Sequence, residues 1–287
     1  MDYNLCDYNT VKKILSAHGF NFSKALGQNF IIDDSICPAM AEMLGADEKT
    51  GVLEVGPGVG VLTKELSKRA KKVISVELDA RLIPILSETL DGCLNTEVVN
   101  ADIMKINLHE LIEEKFSGMK VVVCANLPYY ITTPIIMMLL ESKVKFKSIT
   151  VMVQKEVAKR LCASEGTKDF GAISLAVQYF CSANYLFDVP NTSFMPPPKV
   201  TSTVVRLDLL DKPRVSVKKE EMFFKTVKAS FAQRRKTLLN ALSNAGFSGF
   251  SKAEISEILK NIGIDEKRRG ETLSIDEFAR LADALTK

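Results

Sequence analysis

From Gly51 onward the chain alternates short β-branched runs with stretches whose apolar residues recur at helical spacing. Residues 52–55, 73–78, 96–100, 121–125 and 149–153 have the character of strands. Helices are expected over residues 62–70 and 80–90, and from near Thr133 up to the fifth run. Strands that alternate with helices predict a parallel sheet covered by helices, the doubly wound α/β arrangement.

Residues 183–189 and 203–209 alternate apolar and polar positions with no helix between them, which predicts an antiparallel hairpin at one sheet edge. Their link contains Pro196, Pro197 and Pro198, which have no amide hydrogens for a ladder and keep it stiff and extended. Past Asp211 the strand patterns stop. Helical spacing then runs over residues 222–232, 237–245, 253–262 and 275–285, with Gly246 and Gly263 as C-terminal stops. Two domains are therefore expected: residues 1–211, an α/β catalytic domain with an N-terminal extension, and residues 212–287, a smaller all-helical one.

Composition changes this picture little, but charge does. A chain that is 46% hydrophobic and 25% charged matches an ordinary soluble enzyme rather than a disordered segment. Its longest apolar stretch, residues 131–140, is interrupted by Thr132, Thr133 and Pro134 and falls short of the roughly 20 residues that span a bilayer. The first residues have neither a basic start nor a long apolar run, so a cytoplasmic protein with no membrane anchor is expected. The six cysteines show no C-x-x-C spacing, and His18 and His109 stand in no ligand pattern, so free, mostly buried thiols and no metal are expected. The net charge of +3 is uneven: from residue 212 onward 16 Lys and Arg face 10 Asp and Glu, a net +6, which leaves 22 against 25, or −3, before it. A basic C-terminal part suggests a polyanionic partner, although a merely soluble basic bundle has the same composition.

Glu54-Val55-Gly56-Pro57-Gly58-Val59-Gly60 follows the first strand and opens the next helix. Its glycines let backbone approach a ligand at the C-terminal edge of the sheet. The spacing is G-x-G-x-G, and Val61 stands where the dinucleotide fingerprint requires its last glycine, which disfavours a nicotinamide cofactor. Glu77, at the end of the second strand, can accept hydrogen bonds from both hydroxyls of a ribose, and Asp102, after the third, from an adenine amine. Either acid alone would be read as a solvated strand-end carboxylate. Together with a loop that lacks lysine, they fit an adenosine ligand without phosphate, such as S-adenosylmethionine.

Asn126-Leu127-Pro128-Tyr129, at the end of the fourth strand, is the most specific feature. The lone pair of an adenine N6 amine is delocalised into the ring, so the amine attacks a methyl sulfonium poorly unless acceptors draw the nitrogen toward tetrahedral geometry. The side-chain oxygen of Asn126 can take one N–H and the backbone carbonyl of Leu127 the other, since Pro128 offers no competing donor. Carbonyl dipoles facing the nitrogen stabilise the positive charge that grows there during attack. Tyr129 offers a flat face to an extruded base, and Phe194 is the candidate for the opposite face. Packing alone would also account for either ring.

These motifs, with Leu26-Gly27-Gln28-Asn29-Phe30, Val76-Glu77-Leu78-Asp79, Gln154-Lys155-Glu156-Val157-Ala158, Pro196-Pro197-Pro198-Lys199-Val200 and Gln233-Arg234-Arg235-Lys236-Thr237-Leu238, resemble the ribosomal RNA adenine dimethyltransferase family, and within it the small-subunit branch. The resemblance implies a Rossmann-like S-adenosylmethionine-dependent methyltransferase sheet with a smaller C-terminal helical domain that binds RNA. It implies that Asn29 and Ile31 contact the cofactor near its methionine end, that Gly56 and Gly58 line the same pocket, and that Glu77, Asp102 and Asn126 complete it. It further implies dimethylation of two neighbouring adenosines near the 3′ end of small-subunit (16S) RNA, by a monomer acting on a pre-assembled small ribosomal subunit. Lys155, Lys199, Arg234, Arg235 and Lys236 would then touch RNA phosphates. The chain departs from the family pattern at Ile31, where leucine is usual, at Thr201, where aspartate is frequent, and before Gly27, where only Lys24 is basic. Two rivals remain at this stage: a methyltransferase of large-subunit RNA, and an assembly or RNA-binding factor whose catalysis is dispensable.

Overall fold

The computed structural model of the protein describes residues 3–23, 26–233, 235–247 and 249–286. Lys24 and Arg234 lie outside them. Nine strands and twelve α-helices are found among the described residues. In chain order they are α1 (Tyr8–Ala17), β1 (Phe30–Ile31), α2 (Ile36–Met43), β2 (Thr50–Val55), α3 (Val61–Ser67), β3 (Lys72–Glu77), α4 (Ile83–Thr89), β4 (Thr96–Asn100), α5 (Leu108–Phe116), β5 (Lys120–Asn126), α6 (Thr132–Glu141) and β6 (Phe146–Gln154). There follow α7 (Lys155–Leu161), α8 (Ala172–Phe180), β7 (Cys181–Val189), β8 (Phe194–Met195), β9 (Ser202–Leu209), α9 (Glu220–Phe231), α10 (Leu238–Asn244), α11 (Lys252–Asn261) and α12 (Ile275–Ala284).

Seven strands form one sheet in the order β4-β3-β2-β5-β6-β9-β7. The first five are mutually parallel, and β9 runs antiparallel to β6. Every residue of β2 is buried, as expected of a central parallel strand covered on both faces. Gly51 is required there, since a Cβ would stand 2.2 Å from the ring of Phe116 on α5. Asp79 caps a short 3-10 turn over Ala80–Leu82, and Pro84 then opens α4, so the helix expected over residues 80–90 is divided where proline suits a first turn.

The expected strand pair lies at one edge of the sheet. β7 and β9 are neighbours, but only β7 lies at the edge; β9 is inserted between β7 and β6, which explains its buried apolar residues Val204, Val205 and Leu207. Their connection contains a 3-10 turn (Asn191–Ser193), a cis Met195–Pro196 peptide and β8, which pairs with β1 through Phe30↔Met195 and Ile31↔Phe194.

Two compact units are present: one holds residues 1–158 and 184–209, the other 159–183 and 210–287. The α/β unit runs as far as residue 209. The inclusion of 159–183 in the helical unit differs from a single break, and its cause is aromatic packing: Tyr179 on α8 stacks on Phe223 of α9 with ring centroids 4.9 Å apart. Phe170, Leu175, Phe223, Leu238, Leu242 and Phe278 share that unit's core. Gly246 and Gly263 follow α10 and α11 with φ of +61° and +73°, the left-handed geometry of helix stops.

Three cysteines are buried and three half-buried, all as free thiols. His18 bonds to Glu88 and His109 to the Ser142 carbonyl, ordinary packing roles. Among the described residues no helix is long and apolar enough to cross a membrane, and no group of His, Cys, Asp and Glu could hold a metal ion.

Candidate active site

Strand order reverses between β2 and β5, because the chain builds outward through β3 and β4 and then returns to the other side of β2. At such a switch point the loops after adjacent strands diverge and leave a crevice at their C-terminal ends. The main pocket of the α/β unit lies there, lined by Leu26–Ile31, Glu54–Val59, Glu77, Ala101–Ile103 and Asn126–Ile131 among others.

Asn29, Ile31, Gly56, Gly58, Glu77, Asp102, Asn126, Leu127 and Tyr129, separated by up to a hundred positions in sequence, all line it. Gly56, Gly58 and Gly60 adopt φ of +71°, +61° and +92°. Gly56 donates its amide to the Val76 carbonyl at 3.0 Å, and a Cβ at this position would meet nothing within 4 Å, so the bare backbone faces open space. A Cβ on Gly58 would stand 3.0 Å from the Phe30 ring, so only glycine lets the segment around β1 lie against the loop.

Glu77 is buried, with Oε1 accepting the Asp79 amide at 2.8 Å. Burial pushes its carboxyl up to about 7 against the pull of the Asp79 and Gly58 amides. Asp102 is partly exposed, accepts the Met104 amide at 3.0 Å and pairs with Lys105 at 3.6 Å.

Asn126 ends β5, and its Nδ2 donates to the Asn29 carbonyl at 3.3 Å. Its Oδ1 has no protein partner among the described residues. The neighbouring carbonyls divide their work. That of Pro128 accepts both the Ile131 amide at 3.2 Å and the Thr132 hydroxyl at 2.9 Å, whereas that of Leu127 has no donor among the described residues. Leu127 itself is fixed by its amide, which bonds to the Met152 carbonyl at 3.1 Å. Tyr129 is half-buried and its hydroxyl is held by Ser202 at 2.6 Å; burial raises the phenol's pKa, and the Ser202 bond opposes the rise.

Phe194 does not join them. It is 2% exposed, packs in the core with Phe30 and Ile31, and is absent from the pocket lining, so it presents no face to a base in this structure. Its burial follows from the β1–β8 pairing, which the sequence pattern did not reveal. The basic residues do not line the pocket among the described residues. Lys155 pairs with Asp188 at 2.5 Å, Lys199, Arg235 and Lys236 are exposed, and Arg234 lies outside the described residues.

Four residues at the site were given no role by the sequence pattern. Gln28 donates to Asp79 at 2.7 Å and so ties the segment before β1 to the end of β3, while Asp79 also holds Arg81 at 2.6 Å. Glu54, 1% exposed beneath the glycines, accepts the hydroxyls of Thr63 and Ser75 at 2.6 Å each, and its other oxygen has no partner. Tyr130, 55% exposed, stands at the pocket mouth. Both Gln28 and Asp79 stand inside the quoted motifs, which was the available signal.

A parallel sheet with this order, a left-handed glycine loop after one strand and a buried carboxylate at the end of the next defines a Rossmann-like S-adenosylmethionine-dependent methyltransferase. The pocket fits that cofactor: Gly56 leaves room for close approach, and Glu77 offers a desolvated acceptor for ribose hydroxyls. Residues 19–283 match the family model described as ribosomal RNA adenine dimethylase, and the chain belongs to that family. It is 53% identical, over 96% of each chain, to the ribosomal RNA small subunit methyltransferase A of Alkaliphilus oremlandii. It is 51% identical to the Clostridioides difficile protein of the same name, over 98% of this chain and 96% of that one. Among solved structures it resembles a dimethyladenosine transferase from Plasmodium falciparum (TM-score 0.73, 26% identity, 88% of this chain and 95% of that one). It also resembles the 23S rRNA methyltransferase ErmE (TM-score 0.66, 26% identity, 89% and 99%).

Proposed function

We propose that this protein transfers methyl groups from S-adenosylmethionine to the N6 amines of adenosines in small-subunit ribosomal RNA, two to each of two neighbouring adenosines near the 3′ end of the 16S molecule. One observation carries the reading. Two acceptor oxygens, Oδ1 of Asn126 and the carbonyl of Leu127, have no donor among the described residues at one end of β5 while the adjacent Pro128 carbonyl is used twice. Bound S-adenosylmethionine supplies an electrophilic methyl group. In the first transfer to each adenine Asn126 and Leu127 hold the two N6 hydrogens, and in the second the one that remains, which turns the nitrogen lone pair out of the ring and stabilises charge that grows only during attack, before the replaced hydrogen leaves as a proton. Tyr129, its hydroxyl anchored on Ser202, stacks on the extruded base. Glu77 and Asp102 orient the cofactor's ribose and adenine, and Asn29, Ile31, Gly56 and Gly58 line the remainder of its site.

Lys155, Lys199, Arg234, Arg235 and Lys236 contribute phosphate contacts, with the basic helical unit as the main RNA-binding surface. The enzyme acts as a cytoplasmic monomer on a pre-assembled small subunit. Labelled methyl transfer to under-methylated small subunits, followed by mapping of the modified nucleotides, tests the proposal. Label in large-subunit RNA, or none with folded protein, would overturn it. Asn126→Ala should lower the rate about 10²- to 10³-fold, the usual cost of one preorganised dipole, with RNA binding retained. A factor with dispensable catalysis would instead keep its assembly role in that variant.

A further inference from the structure

The Tyr129 reading leaves the extruded adenine with one aromatic neighbour, since Phe194 is buried in the core. An extruded base also remains tethered to the nucleotides on either side, and the one beside it loses a stacking partner when it leaves the helix. We propose that Tyr130 is the platform on which that flanking nucleotide stacks, which makes it a positioning residue for the substrate strand. The inference rests on the adenine-methylating reading of the pocket.

Four observations support it. Tyr130 lines the mouth of the pocket next to Tyr129, yet it is 55% exposed, among the most exposed of the large apolar residues. Its hydroxyl has no partner among the described residues, in contrast to the Tyr129 hydroxyl on Ser202, so no internal hydrogen bond accounts for the ring's position. The backbone beneath it is fixed, because the Ile131 amide and the Thr132 hydroxyl both bond to the Pro128 carbonyl. Finally, Gly27, at φ +58°, lies beside the ring: a Cβ added there would stand 3.4 Å from Cδ1 of Tyr130, so the bare glycine leaves the neighbouring space open. An aromatic ring carried on a fixed turn and more than half exposed beside a base pocket suits stacking, which needs no particular hydrogen bond and accepts any base.

A stacked base contributes about 1–3 kcal/mol, so Tyr130→Ala should raise KM for under-methylated small subunits roughly 5- to 150-fold at 1.4 kcal/mol per tenfold, with a smaller change in kcat. Tyr130→Phe should restore most of the affinity, because the ring and not the hydroxyl carries the effect. Affinity for S-adenosylhomocysteine, measured by calorimetry on the same full-length variants, should match the parent and also report correct folding. An unchanged KM in Tyr130→Ala, or an affinity for S-adenosylhomocysteine that falls in step with KM, would overturn the inference; the second result would make the ring a cover for the cofactor. Failure of the unaltered chain to label the particles would instead sink the functional reading itself, so the two failures are distinct.

Discussion

Glu54→Gln should flatten part of the protein's pH-stability profile, because Glu54 is a carboxyl buried without a cation. Its Oε2 receives two hydroxyl hydrogen bonds and its Oε1 none. Burial pushes the carboxyl up to about 7; the hydroxyls of Ser75 and Thr63 oppose the shift, and the charge of Glu77 adds to it. The buried thiols of Cys37 and Cys124 also feel its charge. Below pH 4.5 the group is neutral in folded and unfolded chains alike, so it costs nothing. Between pH 4.5 and 7 the unfolded chain releases the proton and the folded one keeps it. Folded protein then binds more protons, and stability falls as pH rises. At 1.36 kcal/mol per pH unit the fall amounts to at most about 3 kcal/mol once pH exceeds 7.

Glutamine keeps the shape and an acceptor for Thr63 and Ser75 but removes the ionisation. The stability difference between Glu54→Gln and the parent should therefore shift in favour of the variant by up to about 3 kcal/mol from pH 5 to pH 8. At roughly 2 °C per kcal/mol for a chain of this size, that is a relative gain in Tm of about 6 °C. Scanning calorimetry of cofactor-free protein at several pH values measures it, and comparison with the parent removes the similar contribution of Glu77. Parallel pH profiles for the two proteins would mean that Glu54 ionises freely in the fold, which would refute the argument.

Above pH 7, where Glu77 is ionised, Glu77→Gln removes a charged acceptor for ribose hydroxyls, and loss of about 1.5–3 kcal/mol should weaken S-adenosylhomocysteine binding about 10- to 150-fold by calorimetry; unchanged affinity would remove Glu77 from the ribose site. Gly58→Ala should cost about 1–2 kcal/mol from its left-handed backbone, with a further penalty because the new Cβ stands 3.0 Å from Phe30. Gly56→Ala, strained but facing open space, should cost less stability; equal losses in thermal unfolding would count against the Phe30 contact. Asp188 is held down to about 2 chiefly by Lys155 and further by Tyr185 and Thr203, so under the proposed RNA contact it would compete with phosphate for that lysine. Asp188→Asn should tighten RNA binding and steepen its salt dependence, while Lys155→Ala should make the slope of log K against log salt shallower by about 0.7–0.9; slopes unmoved in both would show that Lys155 meets no phosphate.

What was legible in the sequence was whatever a local pattern encodes. The five parallel strands were located to within a few residues because each is a β-branched run bounded by turn residues, and the glycine loop was placed because its spacing fixes a turn. The Asn126–Tyr129 motif could be read chemically because its acceptors lie side by side on the chain. What escaped depends on partners distant in sequence. Phe194 looks like any loop aromatic until β8 pairs with β1 across more than 160 positions and turns it into the core. The link between residues 159–183 and the C-terminal helices is made by Tyr179 against Phe223, whose spacing no periodicity records.

The arrangement also explains why a short motif on β5 can serve as a site at all. Asn126 is held by the Asn29 carbonyl, and the segment that carries Asn29 is fixed at two places: Gln28 binds Asp79 at the end of β3, and Ile31 pairs with Phe194 on β8. The amide proposed to meet the adenine is thus oriented by contacts that reach two further strands. Because each of these contacts joins a different pair of loops at the same edge of the sheet, the side-chain oxygen of Asn126 is aimed before any base arrives, and that preorganisation is the condition under which a neutral carbonyl dipole favours a transition state over its ground state.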